Sequence, residues 1–451
     1  MEDCAMLDLP MDIIHKILSL ISEPASLARL ASTCNFWRNL IMDRAFLDDL
    51  MRRRYGHGFS PCLLLGFFFQ VSTGTESPPG LRHHKQNKWN HLTPSFMPVS
   101  ELSQSIGLGA RRPLTLGTFM RGCGSRLNFY EPVASQDGFL ALRRHPEGIN
   151  VQGQRDNLCV CNPLTGEIFD IPSIPVASPD KYVLLVTEDT IFDGWTSQSF
   201  QLVAIWIREG RFTIGSYCSK IKRWTWWEHT HELMPGLYVV RSPAAASRGA
   251  IHFLCGSSIN WTLTHVATLN VATHDLSYLE LPSDAKRSKA PLLANSADGA
   301  LLLLLLKGRE MSLWKHDVKH GSDTSSWVLS ETIDLASSLP RRVVQMQARA
   351  KIKLEMFLGK SGAVLLWVEG GGLFLFSLSD KLMRKINNER ATKKYCFCPY
   401  EIDWLSCLTI TNLIIDGAIL RDTGRKKIQH RWRKLIARHM KKNRNHLKGK
   451  A

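Results

Sequence analysis

The chain has 451 residues, 44% hydrophobic and 22% charged, which is ordinary for a globular protein and too long for one small module. Its net charge of +17 is unevenly placed. From Arg421 to Ala451 thirteen Lys/Arg face a single acidic residue, Asp422, so this tail carries +12 and the preceding 420 residues only +5. A uniformly basic body of the kind that binds nucleic acid is thereby excluded. The N-terminus, MEDCAMLDLP, has acidic residues where a signal peptide needs positive charge. The longest apolar runs, Cys62–Phe69 and Ala300–Leu306, fall far short of the ~20 residues that span a bilayer. The eleven cysteines are odd in number and scattered, and read as reduced thiols in a cytoplasmic and/or nuclear protein with no membrane contact.

Residues 8–50 have helical periodicity. Ile13, Ile14, Ile17, Leu18 and Ile21 recur at i, i+1, i+4, i+5 and i+8. Asp8 is placed to cap this first helix, and Pro10 suits its first turn because a missing N–H costs little there. Pro24 ends the segment or opens the next. Leu27, Leu30, Ala31 and Cys34 form a second stripe, and Asn35 can cap a third helix bearing Phe36, Trp37, Leu40 and Ile41. Three short helices of ~40 residues in all cannot bury this much apolar surface by themselves, so part of it is expected to face a partner.

The segment LDLPMDIIHKILSLISEPASLARLASTCNFWRNLI resembles an F-box along its whole length. It has the opening Leu9-Pro10, then Asp12-Ile13-Ile14, Ile17-Leu18, Leu27, Leu30, Ala31-Ser32-Thr33-Cys34, Phe36-Trp37-Arg38 and Leu40. Asn35 departs from the pattern, where a basic residue is common, but no apolar anchor is lost. The resemblance implies docking onto a Skp-family adaptor, and through it a cullin and a RING subunit. The positions it implies for that contact are Leu9, Pro10, Ile13, Ile14, Ile17, Leu18, Leu27, Leu30, Cys34, Trp37 and Leu40. An apolar helical surface is a suitable helix-in-groove ligand for such a partner.

After residue 55 the helical pattern stops. Short apolar runs follow, separated by Gly, Pro, Asp and Ser. They are Leu63–Val71, Gly138–Leu142, Leu158–Cys161, Val183–Val186, Phe200–Ile207, Phe212–Tyr217, Ala250–Leu254, Ala267–Val271, Leu301–Leu306, Met311–Trp314, Ala363–Val368 and Leu373–Leu378. A weak repeat organises them. A fully apolar strand leads to a second strand, a polar turn (NPLTGE, NVATHD, SLSDK) and a third short strand. Five such units are visible, and residues 60–130 add a poorly patterned one. Fully apolar first strands are expected where a strand is buried on both faces. A multi-strand repeat of ~45–60 residues reads as a β-propeller blade, with a β-sandwich pair as the alternative. The arrangement resembles the kelch-like, F-box-associated propellers abundant in plants, and NPLTGE followed by Ile-Pro is its most recognisable piece. Leucine-rich repeats are absent.

Chemical motifs are sparse. There is no phosphate-binding Walker loop, G-x-S-x-G or H-E-x-x-H, and Gly107-Leu108-Gly109 leads into Arg111-Arg112-Pro113 as a loop. Cys159/Cys161 and Cys396/Cys398 are C-x-C pairs. Alternation puts each pair on one strand face as buried thiols, whereas zinc ligands come as C-x₂₋₄-C with partners. His83-His84 lies in a polar stretch read as a loop. Asn260-Trp261-Thr262 is a formal glycosylation sequon with no signal peptide to deliver it. Of thirteen tryptophans, Trp224, Trp226 and Trp227 cluster, and either pack blade against blade or form a platform for a target.

The basic tail places Ile428, Trp432, Leu435, Ile436 and Met440 on one stripe of a helix. It reads as a solvated or disordered extension, a nuclear-localisation or nucleic-acid-binding element, or a membrane-surface or calmodulin-like helix. The expected organisation is an F-box at 1–50, a linker with a first β unit at 51–130, a kelch-like propeller at 131–420, and the tail at 421–451. The expected function is that of a non-catalytic substrate receptor in a cullin-type ubiquitin ligase, without cofactors, that binds a target protein through the propeller. The rival is a nuclear or nucleic-acid-binding regulator acting through the tail.

Overall fold

The computed structural model describes residues within 10–403. Residues 1–9 and 404–451 fall outside, as do, mainly, 22–26, 31–34, 50–61, 72–92, 100–113, 121–125, 145–156, 191–195, 319–324, 340–350 and 388–394. The basic tail, Trp227, His83-His84 and Gly107–Gly109 therefore lie beyond the described residues. The chain divides into two compact units, the first containing the N-terminal helices and the second most of the β structure.

In the N-terminal unit one helix spans Met11–Ser19 and another Asn35–Ile41. Leu27 and Leu30 are helical between them, and Ala45 and Phe46 after them. Pro10 holds the capping position of the first helix, and its carbonyl accepts from the N–H groups of Ile13 and Ile14 at 3.0 and 3.2 Å. Asp12 in the first turn suits the positive end of the helix dipole. A nine-residue helix is marginal alone. Ile14, Leu18, Leu27, Leu40, Ile41 and Phe46 form the core that holds it, with Ile21, Leu30, Phe36 and Trp37 packed against them. Asp43 Oδ1 accepts from Phe46 N at 3.1 Å and so fixes the last buried ring.

The body is a six-bladed β-propeller of antiparallel sheets, each of four strands or slightly more. The second to sixth blades are built from consecutive strands: Tyr130–Gln136 to Glu167–Ile171, Lys181–Thr190 to Arg223–Trp226, Leu237–Val239 to Leu276–Glu280, Leu292–Asn295 to Ser325–Asp334, and Ile352–Leu358 to Met383–Asn387. Each unit read from sequence as three strands thus has a fourth, lying before the others. The first blade differs. Its strands Cys62–Val71, Ser95–Pro98 and Leu114–Thr115 are joined by Tyr395–Asp403, which takes the position that the first strand has elsewhere.

The all-apolar strands are explained by packing on both faces. In Leu301–Lys307, Leu301, Leu303 and Leu305 pack with Leu254 and Val266 of the fourth blade. Leu302 and Leu304 pack with Val364, Leu366 and Phe374 of the sixth. Likewise Leu202, Ala204 and Trp206 face the second blade, while Val203 and Ile205 face the fourth. Alternation is therefore present, but both of its phases are apolar because both are buried.

The polar turns between third and fourth strands share one geometry. Asn162 Oδ1 accepts from Leu164 N and Thr165 N at 3.1 and 3.3 Å, and Asn270 Oδ1 does the same for Ala272 N and Thr273 N at 2.9 and 3.1 Å. Each turn then needs one left-handed residue: Gly166 (φ +80°), Lys222 (+51°), His274 (+66°) and Lys381 (+55°). Only the first is glycine. Lys222 is exposed, and its N–H bonds Cys218 O at 2.9 Å. Lys222→Gly is expected to raise stability by about 0.5–1 kcal/mol, measured by denaturant unfolding, because relief of left-handed strain exceeds the added chain entropy.

Tryptophan ties neighbouring blades. Trp224 Nε1 donates to Pro172 O at 2.8 Å, and Trp327 Nε1 to Glu280 O at 2.9 Å. In both cases a fourth-strand indole reaches the backbone at the end of the preceding blade's fourth strand. Trp224 is half-buried in the packing between second and third blades, so its role is structural. Trp226 rests on buried Trp206, with ring centroids 5.5 Å apart, and stays 38% exposed.

Buried titratable groups also shape the body. Cys159 and Cys161 are both buried. Burial pushes the Cys159 thiol up to about 12 and Cys161 well above its ordinary value, so both are packing thiols at neutral pH. Cys398 is buried too, and the Cys396 side chain lies outside the described residues. His252 is 8% exposed and its Nδ1 lies 2.9 Å from Thr268 Oγ1. Burial, with His316 nearby, pushes its pKa down from 6.5 to about 4. Between those values the unfolded chain holds a proton that the folded chain does not. Stability is thus expected to fall by up to about 3 kcal/mol as pH drops from 6.5 to 4, and His252→Asn is expected to flatten that part of a pH series of urea midpoints.

Candidate functional site

The first helix presents its apolar residues on two sides. Ile14 and Leu18 are 4% and 1% exposed and belong to the helical core. Ile13, Ile17 and Leu20 are 42%, 50% and 77% exposed, and their i, i+4, i+7 spacing puts them on one face. Exposed Pro10 extends this face toward the N-terminus. Met11, 50% exposed, lies off to the side. Three large aliphatic side chains in line on so short a helix are an unusual surface to leave to water.

The structure thus sorts the eleven positions singled out in the sequence. Pro10, Ile13 and Ile17 are exposed. Ile14, Leu18, Leu27 and Leu40 are buried in the unit's own core, and Leu30 and Trp37 are half-buried against it. Leu9 and Cys34 lie outside the described residues. Leu20, missed in the sequence, is the most exposed of the stripe. Its i+7 spacing from Ile13 was the available signal.

The propeller has a cavity of about 570 Å³ where first strands of the fourth, fifth, sixth and first blades converge. Leu354, Met356, Leu365 and Phe397 are among its apolar lining residues. The charged residues of the lining, among the described residues, are Lys286, Lys353 and Glu355, and the last two form an ion pair at 2.9 Å. Tyr238 and Trp261 flank it with ring centroids 5.2 Å apart. Gly256 makes room for Tyr238, since a Cβ there would come within 2.8 Å of the ring. Lys181 braces the wall from behind. Its ammonium donates to Val240 O at 3.3 Å and to Ser242 O, and burial pushes its pKa down to about 8. The sequence singles out Trp261, Thr262 and the run containing Leu365 for other reasons, but does not bring them together, because the lining comes from strands and connections of four different blades.

Among the described residues no group of three or more His, Cys, Asp or Glu is placed to hold a metal ion. No helix among them is long and apolar enough to cross a membrane.

Residues 6–52 match the F-box-like family model, and residues 118–412 match a family described as a domain of unknown function, DUF7595. The chain belongs to the DUF7595 family. An F-box-like domain therefore precedes a DUF7595 body folded as a six-bladed propeller. F-box domains generally bind Skp-family adaptors and are typically non-catalytic, and this combination fits a receptor role in general. No curated protein matches the chain. Among solved structures it is similar to a protein from Lactobacillus plantarum (11% identity, TM-score 0.37, covering 72% of this chain and 82% of that one). It is also similar to TolB from Acinetobacter baumannii (10%, 0.29, 51% and 48%), of which it spans about half, and to an oligogalacturonate lyase in complex with manganese (11%, 0.32, 66% and 71%).

Proposed function

We propose that this protein is the substrate-receptor subunit of an SCF (cullin–RING) ubiquitin ligase. The F-box-like domain binds the Skp-family adaptor, and the propeller binds a target protein that is marked for degradation. The observation that carries the reading is the exposed stripe Ile13/Ile17/Leu20 on a helix whose opposite side is already filled. Pro10 and this stripe make the direct contact. Ile14, Leu18, Leu27 and Leu40 hold the helices in the docking arrangement, Leu30 and Trp37 border it, and Leu9 and Cys34 complete the set.

The reaction requires no bond chemistry from this chain. A receptor accelerates ubiquitin transfer by holding a target lysine near a loaded conjugating enzyme, which replaces a bimolecular encounter with a local one. The proposed site of action is the cytoplasm or the nucleus. Co-expression with a Skp-family adaptor tests the reading. A stoichiometric complex on gel filtration is expected, and separate elution of the two chains at micromolar concentration overturns it.

A further inference from the structure

The connection that follows the second strand of the fourth blade is built to display apolar side chains. Asn260 Oδ1 accepts from Thr262 N at 3.1 Å and from Thr262 Oγ1 at 2.6 Å, and Trp261 N donates to Ser257 O at 2.9 Å. Ser258 is pinned to Gly236 O through both its N–H and its hydroxyl. On this fixed turn Ile259 is 88% and Trp261 73% exposed, and Trp261 is held at φ +57°. The turn accounts for that φ, as at Gly166, Lys222 and His274, whose N–H groups likewise bond the carbonyl four residues back. It does not account for the large indole, which is mostly in water. The same turn flanks the cavity described above.

Ser242 and Ser288 are among the cavity's lining residues as well. Among the described lining residues Glu355 pairs with Lys353, and exposed Lys286 makes a long 3.9 Å contact with Glu280. Aromatic walls and an exposed lysine at a cavity of this size suit a ligand.

We propose that this cavity, with Ile259 and Trp261 beside it, is the target-recognition site, and that it takes an extended peptide with an acidic residue beside a large apolar one. In an extended segment of a target, neighbouring side chains point to opposite sides, so an acidic and an apolar residue can reach different parts of the cavity and its rim. The apolar side chain covers Trp261 and enters between Tyr238 and Phe397, and the carboxylate meets Lys286. This inference rests on the receptor reading for its biological meaning, but the binding itself does not depend on it.

The test uses the full chain purified with its adaptor and a displayed library of random peptides of about twelve residues. Enrichment of an acidic–apolar motif is expected. The enriched peptide, labelled and measured by fluorescence polarisation, should bind Trp261→Gly at least 10-fold more weakly, since glycine keeps the turn at φ +57° while removing the ring. Ile259→Ser is a second variant at a position 88% exposed, where the fold has nothing to lose, and should also weaken binding. Lys286→Glu should invert the selected charge from acidic to basic. No enrichment, or a peptide that binds all variants equally, overturns the proposal. So does Trp261-dependent capture of oligosaccharides in place of peptides. If the adaptor stays bound while peptides fail, the cavity assignment falls and the receptor reading survives. If peptides bind and the adaptor does not, the reverse holds.

Discussion

Truncation before Tyr395 is expected to abolish cooperative folding of the propeller, read as loss of the near-UV circular dichroism signal and of a sharp thermal transition. The strand Tyr395–Asp403 closes the first blade by pairing with Cys62–Val71. It brings Tyr400, Ile402, Cys398 and Phe397 into the core at 0%, 1%, 4% and 8% exposure. Tyr400 sits in an aromatic cluster with Phe68, Phe96 and Phe119, at ring-centroid distances of 5.2, 6.4 and 6.5 Å. Ser135 Oγ donates to Pro399 O at 2.5 Å, and the Lys360–Asp137 ion pair ties the sixth blade to the second. Without the strand, the Leu-Leu-Leu-Gly-Phe-Phe-Phe edge of the first blade is left open, and such an edge is an aggregation site. A milder probe is Tyr400→Ala, expected to cost about 3–5 kcal/mol. Retention of the wild-type midpoint by that variant would show that closure does not stabilise the ring.

The second large effect is on partner binding. Ile17→Asp is expected to release the Skp-family adaptor, weakening it by about 2–4 kcal/mol or roughly 30- to 700-fold, as for a buried apolar anchor at an interface. Ile17 is 50% exposed, so the helical unit itself should stay folded. Ile17→Lys should act the same way with less cost to the helix, since a cation near the C-terminal end suits the dipole. Leu18→Asp, one residue along, is the contrast. Leu18 is 1% exposed, and a carboxylate there should unfold the helical unit. Unchanged adaptor co-purification by Ile17→Asp in pull-downs at sub-saturating adaptor would remove the docking proposal.

What the sequence reveals differs between the two units, for physical reasons. The F-box pattern is legible because its apolar pairs are adjacent in the chain. The same adjacency hides which member of a pair faces water. Ile13 and Ile14, or Ile17 and Leu18, are equally apolar, and only packing against Leu27, Leu40 and Phe46 separates them. In the propeller the second and third strands stand out because both faces are buried, as in Leu301–Lys307 or Ala363–Val368. The first strands, Val183–Val186 of the third blade apart, do not. Tyr130–Gln136 contains Pro132 and a register shift beside it, and Ile352–Leu358 carries Lys353 and Glu355 with another. Ile352–Leu358 is also one of the strands that converge on the cavity. Local sequence is least informative where the candidate binding site is built. The closing strand is harder still, since YCFCPYEID pairs with a segment more than three hundred residues earlier.

That pairing sets a schedule for biosynthesis. The helical unit's described core lies within residues 14–46 and can form as soon as those residues leave the ribosome. The propeller cannot close until residue 403 has emerged, roughly 340 residues after its first strand, or about 17–70 s at ordinary elongation rates. Throughout that interval an apolar strand waits without its partner. A nascent chain of this kind is expected to lean on chaperones, and a ribosome that stalls in the last quarter of the message would release a partner-binding segment joined to an unclosed ring.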